Sequence, residues 1–304
     1  VLPSFGGLVV HSDLGPAVRA AVAVARRYGL AVTDPRVIGS YSNVMVHLRP
    51  HPVVARVAAA AVRARGRDAM AWLEREAAVI AYLGGRSAVA PAEAVPLGPH
   101  HEDGFPLLFL GFVEHRGHPP SSPEVVGATL RSLHAAMEGF PGRLPELGVL
   151  RETRGWLDAL VADRDLPAAD LVAVRDRYEQ VRDEIAGKAW HCQALHGDAH
   201  LGNLLDTSRG PLWTDFEDVQ CGPPEWDLAA LVAGARVEAG RGAALLDRAV
   251  LAYGVDPASP GLALMVRARI IAAVAWELAA GRNPDGLARA YRRIDWLVGR
   301  GSGS

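Results

Sequence analysis

Apolar and polar positions change period along the chain, and the changes separate a strand-rich first part from a helix-rich remainder. Residues 15–29 are Ala-rich with spaced valines and predict a helix closing at Gly29, a suitable C-cap. Val44, Val46 and Leu48 then alternate with Met45 and His47, the period of a half-buried strand. Pro50-His51-Pro52 turns the chain into another strand, Val53–Val57. Ahead of both, Gly39-Ser40-Tyr41-Ser42-Asn43 lies between two strands. It is not a GxGxxG and reads equally as an ordinary hairpin turn. Trp72, Glu76, Val79, Ile80 and Leu83 share one helical stripe, with an acid on an otherwise apolar face. An acid there is costly unless paired, and Arg56 is the natural partner.

Glycines and prolines exclude a helix over 84–106, Leu107–Val113 reads as a buried strand, and Pro119-Pro120-Ser121-Ser122-Pro123 marks a break. Helices are expected thereafter at 123–137, 150–163 and 168–187, and at about 226–237, 240–253, 260–280 and 284–298. His134 falls on the apolar face of the first of these, with Val126, Leu130, Leu133 and Met137, and reads as a core histidine with a hydrogen-bond partner.

Composition narrows the picture in a few places. A chain of 304 residues is long enough for one large domain or two lobes. A net charge of −2 gives no general attraction to nucleic acid or membrane surfaces. No run of eighteen apolar residues suggests a membrane span, and no leader pattern suggests export. Two cysteines, Cys192 and Cys221, are too few for a disulfide framework and read as structural thiols, with a reducing cytoplasm as the default. Lys188 is the only lysine, so nearly every basic role must fall to arginine. Gly301-Ser302-Gly303-Ser304 reads as a linker scar.

Candidate chemistry concentrates in residues 194–216. Asp198 precedes Asn203 by five residues, and Asp215 follows it by twelve. Between them Leu204–Asp206 and Pro211–Thr214 read as the arms of a short hairpin around Thr207–Gly210. A hairpin returns its far end to its start, so Asn203 and Asp215 should finish side by side. Two hard oxygen ligands there suit Mg²⁺ carried on a nucleotide's phosphates, with Asp198 orienting an acceptor hydroxyl and taking its proton. Two rivals are a buried histidine among surface carboxylates, and zinc on His196 and His200. Gly197 and Gly202 favour a loop over the helix that such a zinc pair needs.

His196-Gly197-Asp198-Ala199-His200-Leu201-Gly202-Asn203 resembles the Brenner-type catalytic loop of the aminoglycoside phosphotransferase and choline kinase-like family. Trp213-Thr214-Asp215-Phe216 is similar to that family's metal-binding strand end, and Gly222–Ala229 to its following helix start. The resemblance implies an α+β, bilobal protein-kinase-like fold. A small antiparallel-sheet lobe would span 1–113, and a larger, mainly helical lobe 114–300. It implies an O-phosphotransferase using ATP or GTP, with Asp198 as the base and Mg²⁺ on Asn203 and Asp215. The family's strand lysine is absent, so the phosphate role would pass to Arg56, braced by Glu76. Ser42 and Asn43 would lie in the phosphate-covering loop, and Val54, on the same strand face as Arg56, would cover the adenine. The backbone of Phe112, Val113 and Glu114 would meet the base. Asp227 would brace the catalytic loop, while Glu217 and Asp218 could ligate metal or face solvent.

Acceptor contacts would come from the helical region, with Glu225, Trp226, His200 and Trp276 as candidates. From Arg236 onward ten arginines stand against six carboxylates, which leans toward a neutral or anionic hydroxyl compound rather than a polycation. The expected acceptor is an antibiotic, or else a sugar, amino alcohol or other metabolite. The expected state is a monomer or homodimer. A reading from a different class is a nucleotide-binding pseudokinase.

Overall fold

The computed structural model describes residues 14–40, 43–58, 69–120, 122–160, 167–238, 241–280 and 284–300. Helix α1 (Gly15–Arg27) leads into five antiparallel strands, β1 (Asp34–Ser40), β2 (Asn43–Arg49), β3 (Val53–Ala58), β4 (His100–Glu102) and β5 (Phe105–Gly111), in the order β1-β2-β3-β5-β4. Helix α1 stops two residues before the expected Gly29. That glycine lies just beyond, at φ +85, where its amide meets the Arg26 carbonyl.

Period-two alternation divides the sheet. Val53, Ala55, Val57, Leu107 and Phe109 join the core under α1. Ala58, Leu108 and Leu110, on the other face, join helix α2 (Ala69–Leu83) in a second core that continues into the remainder of the chain. Helix α2 buries Trp72, Glu76, Val79, Ile80 and Leu83, the expected stripe. Two expectations shift here. Gly39, Ser40 and Asn43 belong to β1 and β2 rather than to a connecting loop, and β5 begins at Phe105 and ends before Phe112. Ser42 and residues 301–304 lie outside the described residues.

The rest is mainly helical: α3 (Pro123–Met137), α4 (Gly148–Leu160), α5 (Ala168–Ala186), α6 (Glu225–Glu238), α7 (Arg241–Tyr253), α8 (Pro260–Ala280) and α9 (Pro284–Val298). Helix α8 is predominantly apolar, with Arg267, Arg269 and Glu277 as its charged residues, and packs against α4, α5, α6 and α9. Two small antiparallel ribbons stand between the lobes, β6 (Gln193–Leu195) with β9 (Gln220–Gly222) and β7 (Leu204–Thr207) with β8 (Gly210–Trp213). The three-residue strands β4, β6 and β9 are too short to leave a periodic signal. This is a mixed α+β architecture with a five-stranded antiparallel sheet at its N-terminal end. No helix among the described residues is long and apolar enough to cross a membrane.

Candidate active site

The β7–β8 ribbon pairs Leu204 with Trp213 and Thr207 with Gly210, leaving Ser208-Arg209 as a two-residue turn. Its open end closes through the Thr214 amide, which donates to the Asn203 carbonyl at 3.0 Å. Asp215 follows directly with φ +66, a left-handed conformation that aspartate tolerates better than most residues. Asn203 spends its Nδ2 on the Asp198 carbonyl at 3.0 Å, which leaves Oδ1 as a free acceptor.

Across from Asp215 lies Arg56, 1% exposed at the centre of β3. Its NH1 sits 2.8 Å from Glu76 Oε2, so the strand-to-helix pair inferred from the acid on the α2 stripe is present. The guanidinium reaches further. NH2 donates to Asp215 Oδ1 at 2.9 Å and to Glu217 Oε2 at 2.7 Å, and Nε to Asp215 Oδ1 at 3.2 Å. Asn43 Nδ2 joins at Glu217 Oε2, 3.0 Å away. Burial works against the charged guanidinium, but Glu76, Asp215 and Glu217 hold its pKa above the usual value. One cation thus meets three carboxylates, and both bonds to Asp215 fall on Oδ1. Among the described residues Asp215 Oδ2 and Asn203 Oδ1 have no hydrogen-bond donor, and these hard oxygens fit a divalent cation such as Mg²⁺.

Asp198 sits on the loop before the ribbon. Its Oδ1 accepts from Arg269 NH2, and its Oδ2 lies 3.4 Å from His200 Nε2. Burial opposes ionisation here, but His200 and Arg269 hold the carboxyl far below the ordinary carboxylate range. Beneath the loop, Asp227 accepts the His196 amide at 2.8 Å and the Gly197 amide at 2.9 Å. Asp227 also accepts from His134 Nε2 at 2.9 Å, while Tyr253 donates its hydroxyl to His134 Nδ1 at 2.7 Å. His134 is the hydrogen-bonded core histidine that its apolar face implied. His196 is fully buried: Nε2 donates to the Thr214 carbonyl at 3.0 Å, and Nδ1 accepts the Asp198 amide at 3.3 Å. With both ring nitrogens engaged by backbone, His196 cannot serve as a zinc ligand. Among the described residues no three His, Cys, Asp or Glu side chains gather as a metal cluster.

This arrangement links a loop aspartate, an asparagine and an aspartate at the open end of one ribbon, and a strand-to-helix ion pair. The family model "Phosphotransferase enzyme family" (APH) matches residues 23–264. The chain belongs to this phosphotransferase family. No curated protein matches the sequence. Among solved structures, a choline/ethanolamine kinase family protein from Mesorhizobium loti is 22% identical. It covers 93% of this chain and 95% of its own, with a TM-score of 0.62. The GDP and kanamycin complex of APH(2")-IIia is 16% identical over 92% of this chain and 99% of that one, at TM-score 0.66. Choline kinase LicA from Streptococcus pneumoniae is 14% identical over 92% and 99%, also at 0.66. At these identities the likeness shows the fold, a protein-kinase-like one.

Other residues of this phosphotransferase singled out from sequence fall less evenly. Val54 shares the Arg56 face of β3 and pairs in register with His47. His47 in turn stacks on Phe112 with ring centroids 3.8 Å apart. The Phe112 amide donates to the Pro52 carbonyl at 2.9 Å, so it is not free for a nucleotide base. Val113 is half-buried and Glu114 exposed immediately after it. Trp226 is fully buried, with its indole N–H on the Gly197 carbonyl at 2.9 Å. It supports the catalytic loop from within and has no surface to offer an acceptor. Trp276 lies edge-to-face against Trp156, with centroids 5.2 Å apart. Glu225 lies beside Gly261 at the start of α8, and His200 is 45% exposed beside Asp198. Two residues escaped the reading by sequence: Arg269, and Glu217 as a partner of Arg56.

Proposed function

We propose that this phosphotransferase moves the γ-phosphate of ATP, with GTP as the alternative donor, to a hydroxyl of a small molecule. The observation that carries the reading is the joint arrangement of Asp198, Asn203 and Asp215 about one ribbon, with Arg56 bridging Glu76 and Asp215. Phosphoryl transfer asks a protein mainly for positioning and charge neutralisation. Mg²⁺, held by Asn203 and Asp215, would neutralise charge on the transferring phosphoryl group. Arg56 would hold the nucleotide phosphates from β3 while Glu76 and Glu217 fix its direction. Asn43 would border the phosphates, Val54 would cover the base, and the backbone of Val113 and Glu114 would meet its edge. Asp198 would orient the acceptor hydroxyl and receive its proton.

Proteins of similar fold include one solved with GDP and kanamycin, one with ADP and streptomycin, and a choline kinase. They support a nucleotide donor and a small acceptor. The leading subclass is antibiotic modification, with a metabolite kinase as the second. Purified protein with Mg²⁺ and ATP should hydrolyse ATP slowly, and Asp198→Ala should reduce that rate by at least a hundredfold. The assay reads phosphate release, alongside transfer to a panel of alcohols by mass shift. Nucleotide binding without turnover against any alcohol or water would make the chain a pseudokinase.

A further inference from the structure

Helix α8 carries one charged side chain into the candidate catalytic centre. Arg269, 12% exposed, donates NH2 to Asp198 Oδ1 and NH1 to the Gly197 carbonyl at 3.2 Å, and its guanidinium lies 5.2 Å from the Trp226 ring centre. The carbonyl of Gly197 is thereby shared between Arg269 and the Trp226 indole, which fixes the guanidinium on the loop rather than leaving it to swing. Its Nε is buried with no hydrogen-bond acceptor among the described residues. The other arginines of this region with assigned partners bind acids at the periphery. Arg236 pairs with Asp247, Arg248 with Glu124, Arg267 with Glu184, and both Arg289 and Arg293 with Glu277. Arg300 likewise pairs with Asp170 and Asp295, whereas Arg269 places its charge beside the Asp198 carboxylate. Glu225 does not offset it locally, since Gly261 beside Glu225 lies eight residues, or about 12 Å, along α8 from Arg269.

We infer that Arg269 is the specificity-determining residue of the acceptor site: it admits a hydroxyl flanked by neutral or anionic oxygen groups and rejects one flanked by an ammonium. This rests on the reading of Asp198 as the group that orients the acceptor. The single negative charge of Asp198 is matched by the guanidinium, with His200 Nε2 facing its other oxygen. A cationic acceptor therefore gains little from the Asp198 carboxylate itself, and a carboxylate or hydroxyl oxygen there meets the guanidinium.

Three matched alcohols test this on the full chain with Mg²⁺ and ATP: glycerate, glycerol and 3-amino-1,2-propanediol. Each is scored by phosphate transfer and by its effect on ATP hydrolysis. Glycerate and glycerol should act at least tenfold more effectively than the amine, mainly through KM. Arg269→Gln should shrink that ratio at least tenfold, and Arg269→Lys should largely preserve it. A wild-type enzyme that prefers the amine or ignores probe charge overturns the inference, as does an unchanged ratio in Arg269→Gln. Should wild type show no nucleotide turnover, or turnover indifferent to Asp198→Ala, the phosphotransferase reading itself fails and takes this inference with it. Asp198-dependent turnover without charge preference overturns the inference alone.

Discussion

Arg56 shows how one side chain takes on several duties when lysine is scarce. A guanidinium reaches Glu76 from one terminal nitrogen and Asp215 and Glu217 from the other, whereas an ammonium is a single point of charge. Arg56→Lys should therefore keep partial function, with a several-fold higher KM for ATP. Arg56→Ala should raise KM by tenfold or more. Steady-state kinetics at saturating Mg²⁺ decide the matter, and unchanged KM in both variants would remove Arg56 from nucleotide binding. His200 supplies a pH test. Burial lowers its pKa, but the Asp198 carboxylate more than compensates and raises it above 6.5. The raised histidine contributes stability that is complete below pH 6.5 and lost as pH climbs through its folded value. The depressed Asp198 contributes stability that is present above 3.8 and lost as pH falls through its own folded value. The pair should thus help most between about pH 4 and 6.5. Asp198→Asn should lower the His200 pKa, read by NMR titration; an unmoved value would show that the two side chains do not interact in solution.

The same residue-scale logic worked once from sequence and was missed once. Glu76 was legible because an acid on an apolar helical stripe needs a partner, and Arg56 was the basic residue in the nearest predicted strand. Arg269, between Ala268 and Ile270 in the apolar α8, carries the same signal. Charge in that region was summed rather than placed, and a sum cannot distinguish a peripheral ion pair from a guanidinium on the catalytic loop. Glu217 was undecided for another reason: its partners Arg56 and Asn43 are 161 and 174 residues away, and no local pattern encodes that approach.

At the scale of elements, the catalytic loop depends on a glycine that sequence could name but not explain. Gly197 adopts φ +90, and a Cβ there would lie 1.8 Å from the Asp218 carbonyl oxygen. The loop can cross the chain after β8 only because that atom is missing. Gly210, in the ribbon turn, has φ +106 with nothing within 4 Å of its Cβ position. Alanine at either site incurs the left-handed strain, on the order of 1 kcal/mol. Only Gly197→Ala adds a collision with backbone. Gly210→Ala should cost about 1 kcal/mol and retain activity, while Gly197→Ala should cost more than about 2 kcal/mol and abolish it. Denaturant melts with parallel ATPase assays separate the two, and equal losses would show that the Asp218 contact is not limiting. Helices and longer strands were legible within a few residues because their apolar periods persist for two turns or more. Where a strand has only three residues, as in β4, β6 and β9, tertiary pairing alone defines it.

For the whole molecule, one charge cluster ties the sheet and α2 to the segment that follows the ribbon. Asn43 and Arg56 from the sheet, and Glu76 from α2, meet Asp215 and Glu217 from beyond the ribbon. Hydrophobic packing also crosses, through Leu108 and Leu110, so the lobes do not depend on charge alone to stay together. What the charge cluster controls is the potential in the cleft. Without Arg56, Glu76, Asp215 and Glu217 lose the guanidinium that all three contact. Removing one partner from so buried a group costs on the order of 3–5 kcal/mol, because the acids are left facing one another. A divalent cation bound near Asp215 relieves part of that repulsion. Mg²⁺ without nucleotide should therefore raise the melting temperature of Arg56→Ala more than that of wild type, by several degrees at saturation. The comparison needs only thermal melts across a Mg²⁺ titration, with Asp215→Asn in the Arg56→Ala background as control. If Mg²⁺ stabilises wild type as much as Arg56→Ala, or stabilises the double variant undiminished, the cation does not bind at Asp215, and the metal role assigned to Asn203 and Asp215 is lost with it.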